Sequence, residues 1–355
     1  MNQANWKREF LFSAGAFVLG LALALAIAAG LGESPLHVLN VMVTGALGSP
    51  TQIGYSLFYA TPLMLTGLSV AWAGRAGLFN IGAEGQMTIG GVAMAAVGLL
   101  APTLPSVFAI PLALVCGFLA GGLWGAFAGW MKAKRGCHEV LATILLNFIA
   151  YGLAAFLIIG LLKSPDSQVP ETAVIGEGFW IAQMHWIGGT SPLNWALLLA
   201  FLCIAAYAFI FARTRLGFHQ RLAGGAPLAG QLGGVKMDRQ IIIAMFYAGG
   251  LAALAAAGPV LGFAHKAREG FAGGAGFVGI AVALLGRNRP LGILFSALLF
   301  GILTKGSLDL DIDTEFVSRD LAVVIQALIV IAVASQPGWI KLFARVGRRE
   351  KGSST

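Results

Sequence analysis

Long apolar runs separated by short polar stretches dominate the chain. A membrane-spanning helix needs about 20 apolar residues. Runs of this kind lie at 10–31, 54–74, 85–101, 106–131, 139–162, 194–212, 240–262, 275–286, 291–304 and 320–336. The pattern predicts an all-α polytopic membrane protein with about ten transmembrane segments. The segments near 280 are shorter than a usual span. No linker or low-complexity tract divides the chain, so 1–355 is expected to form one transmembrane domain. Its largest polar loops are 164–193 and the basic connection 213–239, with a polar tail at 337–355.

Two interruptions break the apolar pattern. The first, RAGLFNIGAEGQ at 75–86, combines Gly77, Gly82 and Gly85, which weaken helix continuity, with Asn80, Glu84 and Gln86, which need polar partners. Irregular backbone at membrane depth is tolerated only where protein or a water-filled cavity surrounds it. The second runs from Glu269 to Gly279 and holds Gly270, Gly273, Gly274 and Gly276 in a comparable place in the second half. The pair predicts two related halves, each with a broken or re-entrant helix beside a central path. Asn80, Glu84, Gln86 and Asn147 are the candidate path residues. Each also has a structural reading. Glu84 can cap the helix starting near Gly85, Asn80 and Gln86 can satisfy backbone groups freed by the break, and Asn147 can join helices.

Small residues recur every fourth position at Gly117, Gly121, Gly125 and Gly129, and again at Ala244, Ala248, Ala252 and Ala256. Such ladders let helices approach backbone to backbone, and tight packing is the role expected of both.

Charge then orients the chain. With both termini in the cytoplasm, 18 of the 23 Lys and Arg fall on the cytoplasmic side, while Lys163, Lys266, Arg268, Lys305 and Arg319 fall outside with Asp309, Asp311, Asp313 and Glu315. This satisfies the positive-inside rule. The first segment, preceded by Lys7 and Arg8, is longer than a signal-peptide core and is expected to be a retained anchor, with cleavage the alternative. Only 11% of residues are charged, 58% are hydrophobic, and the mean hydropathy is +0.83. The net charge of +8 therefore reads as topology and contact with lipid headgroups, not nucleic-acid binding.

Catalytic signatures are scarce. The sequence has no G-x-x-x-x-G-K-[ST], so it does not itself hydrolyse a nucleotide at a P-loop. Gly274 to Gly279 fits G-x-G-x-x-G but lies inside an apolar run without a preceding strand, which points to a broken helix. The adjacent Cys137, His138 and Glu139 cannot easily converge on one metal ion, and Glu139 is expected to start a helix at the cytoplasmic surface. Cys116, Cys137 and Cys203 imply no disulfide.

Three stretches carry a resemblance: AGRAGLFNIGAEGQMTIGG (73–91), HEVLATILLNFIAYG (138–152) and FVGIAVALLGRNRPLGILFSALLFGIL (277–303). They resemble permease subunits of ATP-binding-cassette importers for simple sugars and nucleosides, in the group that also holds ribose and branched-chain amino acid permeases. GLFNIGAEGQ is similar to the branch associated with purine nucleosides. The resemblance implies a bacterial inner-membrane location and a pair of permease subunits, the same or related. It also implies cytoplasmic ATPases that carry ATP and Mg, and an extracytoplasmic binding protein that delivers solute. No cofactor is implied for this chain. RLAGGAPLAGQLGGVKM (221–237) resembles the cytoplasmic coupling segment that meets the ATPase, with Arg221, Gly224, Pro227, Ala229 and Gly234 fitting the pattern. Ala226, Gly230 and Gly233 depart from it, which predicts a shorter or looser coupling helix. Importers of the same architecture for simple sugars or branched-chain amino acids remain open, as does an ion-coupled secondary carrier using Glu84.

Overall fold

The structure is a computed structural model describing residues 3–165, 167–315, 317–318 and 320–334; the polar tail 337–355 lies outside the described residues. Among the described residues there are helices and three isolated bridges but no strand. In chain order the helices begin with α1 (Gln3–Gly30), α2 (Pro35–Leu47), α3 (Pro50–Arg75), α4 (Ala83–Leu100) and α5 (Ser106–Arg135). Then come α6 (Glu139–Phe156), the single turn α7 (His185–Gly188), α8 (Ala196–Arg213), α9 (Arg215–Gly225) and α10 (Pro227–Leu232). The last are α11 (Met237–Leu254), α12 (Ala275–Leu285), α13 (Pro290–Leu308), α14 (Leu310–Asp313) and α15 (Asp320–Ala334).

Among the described residues, every apolar run read from the sequence is helical over most of its length, but seven helices are long and apolar enough to cross a membrane. Three shorter apolar helices, Val18–Gly30, Pro35–Leu47 and Ala275–Leu285, fall below that length. Helix α2 has no counterpart among the expected segments, because its 13 residues are interrupted by His37 and Asn40.

The chain divides into two compact units, Met1–Gly45 with Gly306–Thr355, and Ala46–Lys305. In the first, α1 packs on α15. The last turn of α13 meets α2 backbone to backbone, since a Cβ on Gly306 would lie 2.3 Å from the Met42 carbonyl oxygen.

The second unit is built around α11, which packs against α5, α3 and α4. Small residues make the contact close. A Cβ on Gly121 of α5 would stand 2.5 Å from Ala253 Cβ, and one on Gly249 of α11 would stand 2.1 Å from the Gly121 carbonyl. Gly117 abuts Met94 of α4, while Gly125 and Gly129 abut Met245. Ala244, Ala248, Ala252 and Ala256 are completely buried.

At one end of this unit, two helices finish in wider π-turns. Helix α6 continues as Leu157–Leu161, and α11 continues as Ala257–Ala264, which contains Pro259. The first delivers the chain to the segment 163–195 and the second ends against it; the sequence suggested 164–193 of this segment as a loop with room for a short surface helix but no core of its own. It is instead a packed cap. Thr172 and Phe179 are fully buried, and backbone amides of Thr172, Ile175 and Ile181 donate to the carbonyls of Ala267, His265 and Leu261. Burial of those apolar side chains and pairing of those amides remove the two main costs of holding an irregular segment against a membrane bundle.

Candidate functional site

Ser49 caps α3 by accepting a hydrogen bond from the Gln52 amide at 3.2 Å, and the helix runs to Arg75. Gly77 then adopts φ +73°, a left-handed conformation that suits glycine, and the chain doubles back along α3. Asn80 donates to Ser69 Oγ at 3.0 Å. Ser69 lies six residues before Arg75, about 9 Å along the axis. Helix α4 therefore starts well inside the bundle, as the interrupted pattern predicts.

The break is held by amides. Asn80 Nδ2 donates to Gln86 Oε1 at 2.8 Å, and Gln86 Nε2 donates back to Asn80 Oδ1 at 3.1 Å. Asn147, on α6, accepts from the Gly85 amide at 2.9 Å and donates to the Ile81 carbonyl at 3.0 Å. It thereby pairs one of the amides that a helix start leaves without an internal partner. Asn80, Gln86 and Asn147 are all buried.

The second break mirrors the first with the direction reversed. The π-turn of α11 stops at His265, whose φ is +52° and whose ring stacks on Trp180 at 4.1 Å. The chain returns through Gly270, Gly273 and Gly274, all with positive φ, and α12 starts at Ala275. Thr66 Oγ1 donates to the Ala275 carbonyl at 2.9 Å, which places the start of α12 near that of α4. Helix α12 then runs the opposite way, and Arg75 and Tyr207 tie its far end through the Asn288 carbonyl.

Two helix N-termini thus face each other inside the bundle, and Glu84 joins them. Its Oε1 accepts from the Gly274 amide at 2.8 Å and its Oε2 from the Gly276 amide at 2.6 Å. Glu84 caps α12, the other broken helix, and not the one on which it sits. A carboxylate between two positive helix ends offsets both. Gly276 makes this contact possible, because a Cβ there would lie 2.2 Å from the Glu84 amide nitrogen.

Two cavities flank the glycine loop 268–274. One, of about 430 Å³, has walls from Phe58 and Tyr59 of α3, Phe263 of the π-turn and Phe271 of the loop. The other, of about 310 Å³, is bordered by Glu84, Thr88 and Tyr151. Neither is lined by Asn80, Gln86 or Asn147. The aromatic residues escaped sequence reasoning because a phenylalanine within an apolar run carries no signal by type. The Phe271 ring is seated in a niche on α4, where a Cβ on Gly91 would lie 2.2 Å from its tip.

The cap is fastened to the start of the same loop by charge. Glu171 accepts from Lys266 at 2.8 Å and from Arg268 Nε at 2.9 Å. The Lys266 hydrogen bond, with help from Ser167 and Arg268, holds the Glu171 carboxyl down at about 2.

At the opposite end, Thr214 caps α9 through the Gly217 amide, and Arg221 donates to the Phe211 carbonyl. Gly224 packs on the turn after α3, where its Cβ would lie 2.5 Å from the Arg75 carbonyl. Pro227 opens α10, a position where its missing N–H costs nothing. Gly234, with φ +80°, follows its end. Ala229 is exposed, and Leu228 and Leu232, one helical turn apart, are 75% and 91% exposed.

Residues 52–334 match the family described as "Branched-chain amino acid transport system / permease component". The chain is 35% identical to the nucleoside ABC transporter permease protein NupB of Lactococcus lactis, over 85% of each chain. It is 36% identical to the guanosine ABC transporter permease protein NupP of Bacillus subtilis, over 90% of this chain and 91% of that one. It is 30% identical to the glucose ABC transporter permease protein TsgB13 of Haloferax volcanii, over 89% and 86%. With its apolar helices, its paired half-helices and this match across most of its length, the chain belongs to the branched-chain amino acid transport system permease family and is a multi-pass membrane transport subunit.

Proposed function

We propose that this permease imports nucleosides, purine nucleosides foremost, as the membrane subunit of an ATP-binding-cassette importer. The observation that carries the reading is the 35–36% identity, across nearly the whole chain, to permeases named for nucleosides and guanosine. Both termini and α9 to α10 face the cytoplasm of a bacterial cell, while the 163–195 cap faces outward to a binding protein. A second permease subunit, the same or related, completes the path. Partner ATPases hold ATP and Mg and contact the segment containing Arg221, Gly224, Pro227, Ala229 and Gly234, with Leu228 and Leu232 as the apolar contact.

Solute passes beside the joined breaks. Glu84 holds α4 and α12 together and borders the path, and Asn80, Gln86 and Asn147 keep the first break in shape next to it. Closure of the ATPases moves α9, and Gly224 passes that movement to the Arg75–Gly77 turn. The subunit does no covalent chemistry. Directionality comes from solute contacts that differ between two conformations.

The test is uptake of labelled guanosine, adenosine, glucose and leucine into proteoliposomes holding the complete importer, with and without ATP. ATP-dependent uptake of the nucleosides alone supports the reading. ATP-dependent uptake of glucose or leucine in their place overturns the substrate. Uptake by this chain alone on an ion gradient overturns the importer.

A further inference from the structure

The 430 Å³ cavity between α3, the π-turn and the glycine loop has a chemistry of its own. Phe58 and Phe263 meet edge to face, with centroids 5.6 Å apart, and Phe58 and Tyr59 do the same. Phe271 closes a further side. Planar heterocycles stack on such rings, and this cavity is large enough for a base with its sugar, since small-molecule sites span about 300–1,000 Å³.

Polar groups sit at one side. Lys266 and Arg268 border the cavity, but both are committed to Glu171. The Glu269 carboxylate and the Tyr59 hydroxyl also border it and, among the described residues, have no side-chain hydrogen bond. A free carboxylate accepts two hydrogen bonds from vicinal hydroxyls, as a ribose 2′,3′-diol offers them, and repels a phosphate. The phenol can donate to a ring nitrogen or carbonyl.

We infer that this cavity is a binding site for a neutral nucleoside, with the base stacked among Phe58, Phe263 and Phe271 and the ribose diol held by Glu269. The assignment rests on the nucleoside reading and goes further by naming the groups that select base, sugar and charge. Free bases lose the diol contact, simple sugars lose the stack, and nucleotides meet the Glu269 charge.

The experiment is photolabelling of the reconstituted importer with 8-azidoguanosine, followed by peptide mapping, in parallel with guanosine uptake. Adducts are expected on the peptides holding Phe58–Leu63 and Phe263–Phe271. Excess guanosine should suppress them, and ribose or GMP should not. Phe58→Leu and Phe263→Leu keep apolar bulk and should each weaken guanosine competition about five- to hundredfold, the range for losing a stacked base. Glu269→Gln should admit GMP as a competitor. Recovery of each variant as an intact complex with its ATPases, unfolding at the parent's midpoint, separates a binding defect from failed folding. Uptake of guanosine by the parent importer with no adduct in these peptides, or with labelling indifferent to all three substitutions, overturns the site while leaving the nucleoside function standing. Failure of the parent to take up any nucleoside overturns the underlying reading.

Discussion

Glu84→Gln isolates the join between the two broken helices. In the parent, both carboxylate oxygens accept backbone amides, from Gly274 at 2.8 Å and Gly276 at 2.6 Å, at a buried position. A hydrogen bond to a charged group contributes about 1.5–3 kcal/mol and a neutral one about 0.5–1.5. Glutamine keeps one acceptor oxygen, so one neutral bond replaces two charged ones, and its NH2 group confronts the other amide. The net loss is about 2–5 kcal/mol by the same increments. The partial charge of the α12 N-terminus, no longer offset, adds to that loss. Equilibrium unfolding of the purified permease in mixed micelles, with SDS as the denaturant, measures the difference directly. A variant within about 0.5 kcal/mol of the parent, the scatter of an ordinary surface change, would refute the claim that this carboxylate holds the half-helices together.

Other substitutions probe the remaining contacts. Leu228→Asp and Leu232→Asp, at sites 75% and 91% exposed, should leave unfolding within about 0.5 kcal/mol of the parent and abolish ATP-driven uptake; retained uptake would place the ATPase contact elsewhere. Gly91→Ala puts a Cβ 2.2 Å from the Phe271 ring tip, so it should cost about 1–3 kcal/mol in the same assay. Gly121→Leu drives a side chain into Ala253 and the Gly249 carbonyl, and the yield of folded protein should collapse; normal yield would contradict the close approach of α5 and α11. Glu171 has a folded pKa of about 2, below its ordinary 4.5, so its contribution is complete above about 4.5 and is lost as pH falls toward 2. Glu171→Gln should remove that limb from an acid-unfolding curve, and an unaltered curve would show the cap is not held by this carboxylate.

How far the sequence discloses this arrangement depends on where each partner lies. Glycines at 77, 82 and 85 and at 270, 273, 274 and 276 stand out because lipid disfavours them beside polar groups, so both breaks are legible. What Glu84 caps is not legible, because its partners lie 190 and 192 positions away and present only backbone amides. The reversed directions of α4 and α12 follow from those same distant bonds. Asn80 and Gln86 read either as partners of the broken backbone or as solute contacts until their mutual pairing is seen. The cap from 163 to 195 is irregular, held by scattered backbone bonds that leave no period in the sequence, and Phe58, Phe263 and Phe271 hide among apolar neighbours.

The π-turns that end α6 and α11 make the cap a matter of counting. Each π-turn carries about one residue more than the α-turn it replaces, and one residue turns a helix through about 100°. From the two turns the chain passes directly to Lys163, which bridges Thr172, and to His265 and Ala267, which pair with Ile175 and Thr172. Thr172 is therefore addressed from both sides by helices whose phase is set by a surplus residue. Shortening either turn by one position would leave a hydrophobic segment that any lipid would accept, yet every side chain beyond it would point a quarter-turn astray. Length there is conformational information, as specific as any side chain.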